Sequence, residues 1–178
     1  MNDSSLVKKC IEGDQRAQRM LFEKFAPKML GVCMRYAKNT EQAEDVLQDG
    51  FVKVFTKLSH YKGDGSFEGW IRRVIVNTAL DQIRKNTKFQ DNVALDDVEY
   101  KLELKGNVLE TLAAEELMVL INDMPTGYKV VFNMFAIEGY SHKEIAKELN
   151  VSENTSKSQY SRARAYLKNK LEEIDFER

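Results

Sequence analysis

Lys157, Ser161, Arg164 and Lys168 recur every three or four residues, so on a helix they form one basic, hydroxyl-bearing stripe. Ser156, Tyr160, Ala163 and Leu167 fall on a second side. Lys and Arg neutralise phosphates, and the same side chains with Ser reach base edges. All of the stripe but Lys168, the next residue, lies in GYSHKEIAKELNVSENTSKSQYSRARAYL, residues 139–167, where two helical patterns hinge at Asn150-Val151-Ser152. Ser141 with Glu144 makes a capping-box pattern that starts the first helix, and Ile145, Ala146 and Leu149 supply its apolar stripe. Asn150 suits a left-handed turn position, and Ser152 can cap the second helix. A basic stripe on the second helix of a tight pair is how a helix-turn-helix enters a DNA major groove. An ordinary helical hairpin with a solvated basic face is the competing reading.

Two further sets invite chemistry. Asp45, Gln48, Asp49 and Val52 stand at i, i+3, i+4 and i+7, an acidic-polar stripe with one apolar residue. It reads either as a solvated face or as a docking surface for a partner helix carrying Arg and Lys. Acids near a helix start complement its dipole, which accounts for Asp45 but not Asp49. In the second set, Tyr61-Lys62-Gly63-Asp64-Gly65-Ser66 forms an aromatic-basic-glycine loop, followed by Arg73, Asn77 and Arg84 on one outward helix face. Such a loop can stack on and cradle unpaired bases, and Asn77 can hydrogen-bond a base edge. The alternative is that Tyr61 and Trp70 are core, a reading that fits Trp70 better than Tyr61.

The elements that must hold these residues read almost entirely as helix. Expected helices span Ser4 to Ile11, Asp14 to about Lys38, Glu41 to about Leu58 and Phe67 to about Lys85. Pro27 should kink or interrupt the second. In the third, Ala43, Val46, Leu47, Gly50, Phe51, Val54, Phe55 and Leu58 share a face at steps of three or four. In the fourth, Phe67, Trp70, Ile71, Val74, Ile75 and Thr78 should point inward. Residues 89–108 lack a sustained period and are rich in Asp, Glu and Asn, which marks a linker. Beyond it, Asn107 with Glu110 could cap a helix to about Asp123, Pro125 marks a break, and Lys129 to Glu138 is helical. The expected fold class is therefore all-α: two small helical domains, 1–88 and 109–178, joined by an acidic flexible linker at 89–108, the second a helix-turn-helix.

Totals exclude several classes. The 178 residues carry a formal net charge of −1, so no global field draws the chain to nucleic acid. The charge is divided instead. Residues 69–90 hold Arg72, Arg73, Arg84, Lys85 and Lys88 against Asp81 alone, and residues 141–170 are also mostly basic. Residues 91–123 are acidic, offset only by Lys101 and Lys105. Cys10 and Cys33 are the only cysteines and His60 and His142 the only histidines, so a zinc site is not expected and free thiols suit a reducing compartment. No apolar run can span a bilayer and MNDSSLVKKC lacks a signal core, which points to the cytoplasm without membrane insertion. Asp64 has no evident partner that would make it a catalytic base. No catalytic residues, metal or cofactor are expected.

Taken in order, AEDVLQDGFVKVF, YKGDGSFEGW, IRRVIVNTALDQIRK, the acidic spacer and EIAKELNVSENTSKSQYSRARAYL resemble bacterial sigma factors of the small extracytoplasmic-function group. The resemblance runs from about Asp14 to Leu171. It implies a promoter-specificity subunit whose partners are core RNA polymerase and promoter DNA, with an anti-sigma factor as a further partner. By resemblance, Asp45, Gln48, Asp49 and Val52 meet a coiled coil of the polymerase clamp. Tyr61, Lys62, Gly63, Asp64 and Ser66, with Asn77, open the minus-ten element and capture a flipped base, while Arg72, Arg73, Arg84 and Lys85 hold its phosphates. Helix 153–168 resembles the reader of the minus-thirty-five element. There Lys157, Ser158 and Ser161 match base-facing positions and Arg162 and Arg164 backbone-facing ones, with Asn154 and Lys168 as further DNA-binding residues of the same helix. VVFNMF lies where the family docks the polymerase flap, although core packing explains it nearly as well. Two departures stand out. Ser156 replaces an apolar core residue, implying a looser seat for the reader helix, and Gln159 replaces a frequent Arg. A two-domain regulator that binds duplex DNA without polymerase is the alternative function, and a nucleic-acid-modifying enzyme lacks a ligand set.

Overall fold

The computed structural model describes residues 3–86 and 114–176, which divide into two units at Lys85/Asn86, three residues before the expected boundary at 88. The expected linker 89–108, and the helix start expected at Asn107, lie outside the described residues. Among the described residues all regular structure is helical, and no helix is long and apolar enough to cross a membrane.

The first unit contains α1 (Asp3–Ile11), α2 (Gln15–Met34), α3 (Thr40–Lys57), a 3-10 turn at Leu58–His60 and α4 (Phe67–Asn86). Local chemistry sets the starts. The Asp14 carboxylate accepts from the backbone N–H groups of Arg16 (2.8 Å) and Ala17 (3.2 Å), and Asn39 Oδ1 accepts from that of Gln42 (2.9 Å). Pro27 does not end α2, which continues for seven residues beyond it. Flanking burial holds the helix through that point: Phe25, Ala26 and Met29 are all in the core. The core-facing side of α3 is as its spacing predicts, apart from half-buried Phe55. Gly50 lies where α3 and α4 touch, and a Cβ there would sit 2.3 Å from Ile75 Cδ1. Burial of α4 is broader than one stripe, since Val76, Ala79, Leu80 and Ile83 are buried beside Phe67, Ile71, Ile75 and Thr78. Each fully buried aliphatic side chain contributes about 1.5–3 kcal/mol. Trp70 and Val74, expected inside, are only half-buried. Cys10 and Cys33 are free and buried, and burial pushes the Cys33 thiol up to about 12.

The second unit contains α5 (Ala114–Asp123), α6 (Thr126–Phe132), a wider π-helical segment (Asn133–Ile137), α7 (His142–Leu149) and α8 (Glu153–Phe176). The helix expected from Lys129 begins three residues earlier, directly after Pro125. It then widens: the Glu138 N–H donates to the Asn133 carbonyl at 2.9 Å, and that of Tyr140 to Met134 at 2.9 Å. Ile121 of α5 and Met124 just beyond it bury against Ala163 and Leu167 of α8, with Tyr128, Phe132 and Tyr166 packed around them. Val130, Val131, Asn133 and Met134 are fully enclosed, so VVFNMF chiefly builds this core.

Candidate nucleic-acid interface

The turn between α7 and α8 is built as its residues dictate. The Ser141 hydroxyl accepts from the Glu144 N–H at 3.2 Å, while Glu144 accepts from the Ser141 N–H at 2.9 Å, completing the capping box. Asn150 adopts φ 55 and ψ 47, left-handed, and closes α7. Ser152 Oγ then accepts from the Thr155 N–H at 2.9 Å and starts α8.

The opposed faces of α8 are well separated. Ser156, Gln159, Ala163 and Leu167 are buried, with Tyr160 half-buried. Asn154, Lys157, Ser158, Ser161 and Arg164 are exposed, while Arg162 and Lys168 are half-buried. Two sequence expectations change here. Ser156 does not loosen the seat, because its Oγ lies 2.9 Å from His142 Nδ1 and the buried hydroxyl is satisfied. His142 in turn stacks on Phe135 with centroids 4.3 Å apart, and Phe135 lies 4.5 Å from Tyr160. Gln159 points into the domain, so it offers no replacement for a base-reading Arg. Burial first, then the charge of Lys157, lowers the His142 pKa from its ordinary 6.5. The sequence reading did not pick out two pairs on this helix: Lys157 Nζ lies 2.9 Å from Glu153 Oε1, and Lys168 Nζ 3.7 Å from Glu172 Oε1. The i,i+4 spacing carried that signal.

In the first unit the loop before α4 is braced from within. Tyr61 packs 5.0 Å from Phe67 and 5.5 Å from Trp70, and its hydroxyl donates to the Gly65 carbonyl at 2.9 Å. Tyr61 is thus half-buried and committed to shaping the loop. Ser66 is likewise a helix-start residue, its Oγ accepting from the Gly69 N–H at 3.3 Å. Lys62, Gly63 and Asp64 remain exposed, and Gly63 and Gly65 take φ of 82 and 86, which only glycine adopts readily. On α4, Arg73 and Lys85 are exposed and Arg72 half-buried. Arg84 does not stand alone: it bonds Asp81 at 2.6 Å, and Asp81 also takes Lys53 of α3 at 2.9 Å. Asn77 is half-buried rather than outward, and its Oδ1 is enclosed with no hydrogen-bond partner among the described residues.

On α3, Asp45, Gln48, Asp49 and Val52 are all exposed, Val52 to 66 %. Asp49 accepts a long hydrogen bond from Gln82 of α4 at 3.4 Å.

Comparison with known proteins decides the family. Residues 21–89 match the model for Sigma-70 region 2, and residues 114–167 that for Sigma-70 region 4. The chain belongs to the sigma-70 family. Relatives matched over nearly their whole length include one named for the extracytoplasmic-function type. The chain is 26 % identical over 186 residues to the RNA polymerase sigma-H factor of Pseudomonas aeruginosa, covering 97 % of this chain and 95 % of that protein. It is 25 % identical over 185 residues to the extracytoplasmic-function RNA polymerase sigma-E factor of Escherichia coli K12, covering 98 % and 96 %. Two solved structures share the fold. CnrH, solved in complex with the cytosolic domain of CnrY, gives a TM-score of 0.53 at 23 % identity, covering 96 % of this chain and 97 % of that one. The sigma factor RpoE of Bartonella quintana, solved with the anti-sigma factor NepR, gives 0.55 at 19 % identity, covering 88 % and 97 %. In the terms of this sigma factor, region 2 spans most of α2, all of α3 and α4, and region 4 spans α5 to most of α8.

Proposed function

We propose that this sigma factor binds core RNA polymerase through the exposed face of α3 and directs it to promoters by reading two DNA elements. Asp45, Gln48, Asp49 and Val52 meet the polymerase clamp. The loop 61–66 with Asn77 opens the minus-ten element and holds an extracted base. Arg72, Arg73, Arg84 and Lys85 supply phosphate contacts, Arg84 exchanging Asp81 for a phosphate. On α8, Asn154, Lys157, Ser158 and Ser161 face base edges of the minus-thirty-five element, flanked by Arg162, Arg164 and Lys168. The chain performs no catalysis; that belongs to the polymerase, in the cytoplasm.

The observation that supports this reading most strongly is the division of α8. A helix whose buried side is completed by Ser156, Gln159 and Ala163 turns its basic and hydroxyl side outward, with Lys157 paired to Glu153 and Lys168 to Glu172. Phosphate contacts then give salt-dependent affinity, and each good side-chain-to-base pair adds about 1–3 kcal/mol of discrimination. Few such contacts per unit make either unit a weak reader alone, and holding both on one polymerase raises their effective concentration. Because RpoE, which shares the fold, was solved with an anti-sigma factor, an anti-sigma factor is a further expected partner.

The test is co-purification with core polymerase and a run-off transcript that requires this chain. Asp49→Lys abolishes polymerase binding with helicity unchanged. Unaltered binding removes α3 from the interface, and specific binding of duplex promoter without polymerase replaces the proposal with that of a free-standing regulator.

A further inference from the structure

Both helices of the helix-turn-helix begin with a capping serine followed by a glutamate, yet the two acids are used differently. Glu144, third in its helix, is consumed by the cap: Oε2 lies 2.9 Å from the Ser141 nitrogen and 2.8 Å from its hydroxyl. At the start of α8 the third position is Thr155, whose N–H and hydroxyl already engage Ser152 at 2.9 and 2.8 Å. Glu153 is therefore not needed for capping. Its carboxylate reaches forward along the exposed face to Lys157, at 2.9 Å. The hydrogen bond from Lys157, and then its charge, lowers the Glu153 pKa, which favours the ionised carboxylate. A carboxylate on a surface that must approach phosphates is repelled unless it has a use there.

We propose that Glu153 and Lys157 together read one G·C base pair of the upstream element. The Glu153 carboxylate accepts from the cytosine N4 amine, and the Lys157 ammonium donates to guanine O6 and N7. This rests on α8 being the helix that enters the duplex. In the major groove a G·C pair presents two contiguous acceptors and then a donor, which matches an ammonium beside a carboxylate. An A·T pair places its donor between two acceptors and adds a methyl group, so the same pair of side chains meets one group of the wrong kind. The ion pair holds the two charges at adjacent positions before DNA arrives, which reduces the ordering needed on binding.

A promoter library randomised through the upstream element, transcribed by the reconstituted holoenzyme and sequenced, tests the assignment. The wild-type protein should favour G·C over A·T at one position by about ten-fold, within the range a good contact supplies. Glu153→Ala and Lys157→Ala should each flatten preference at that same position and leave the others unchanged. Glu153 is exposed, and circular dichroism on each variant confirms that the fold is intact. Flattening at two different positions overturns the paired reading. A Glu153→Ala variant that raises output equally on all templates overturns it too, and assigns the acid to general repulsion. No selection by the wild-type holoenzyme at any upstream position overturns the reader role of α8 itself.

Discussion

Helices α4 and α8 both carry basic residues towards DNA in the proposed reading, but they are seated by different physics. The seat of α4 is aliphatic: Ile71, Ile75, Val76, Ala79 and Leu80 are almost fully enclosed. That of α8 includes Ser156 and Gln159 beside Ala163, and Ser156 is bonded to His142. Apolar burial is large and non-directional, so α4 is held strongly but tolerates small shifts. A buried hydrogen bond contributes less net energy but fixes orientation, and leaving one partner unsatisfied is costly. The reader of duplex edges, where a contact must meet a particular base atom, has the directional seat.

The largest effect that sharpens this contrast is on promoter opening. Asn77 interrupts the aliphatic surround with an enclosed Oδ1 that has no hydrogen-bond partner among the described residues, a cost to folding. Asn77→Ala should leave the melting temperature unchanged or raised while reducing open-complex formation at least ten-fold. Permanganate reactivity measured beside gel-shift affinity checks this, and equal loss in both assays contradicts base capture. Next comes Gly50→Ala, which drives a Cβ against fully buried Ile75 and should destabilise the first unit by about 1–3 kcal/mol in a denaturant titration. No change would mean that the Ile75 Cδ1 methyl turns aside without cost.

In the second unit, His142→Ala should cost about 1–3 kcal/mol by leaving the buried Ser156 hydroxyl without its partner. Ser156→Ala in the same background should recover part of that loss, and a double-mutant cycle reads the coupling. The sign of the pH dependence follows from the lowered pKa. The unfolded chain takes up a proton on His142 at the ordinary 6.5 while the folded chain resists, so stability falls as pH drops below about 6.5. It levels off once the folded form is protonated as well. His142→Gln should remove that component from a series of melting temperatures. The smallest effect is Lys168→Ala, which should weaken binding to all upstream sequences alike and reduce the salt slope by about 1. A change in base preference would move Lys168 from phosphate to base contact.

How much of this was legible in the residues depended on distance along the chain. The helix-turn-helix rests on local rules, and Ser141, Glu144, Asn150 and Ser152 each do what their types predict. The α3 faces were equally readable, because one regular period separates Val46 and Phe51 from Asp45 and Asp49. Contacts that close over long separations were not. Lys53 meets Asp81 across 28 residues and His142 meets Ser156 across 14, and neither leaves a periodic trace. A single stripe also understated α4, since a helix covered on several sides loses the contrast that periodicity measures. The π-helical turn at Asn133–Ile137 has no sequence signal of its own, and Gln159 is a polar residue whose burial only the tertiary packing reveals.

The close approach at Gly50 has a mechanical consequence. With no side chain at that position, the Ile75 side chain of α4 packs directly on the α3 backbone and brings the two helices close. The Lys53–Asp81 and Gln82–Asp49 links clamp the same seam. In the proposed reading, whatever grips the acidic edge of α3 therefore also positions the α4 surface to within small shifts, like a stop on a ruler, and sets the spacing between docking point and opened strand before any nucleotide is touched.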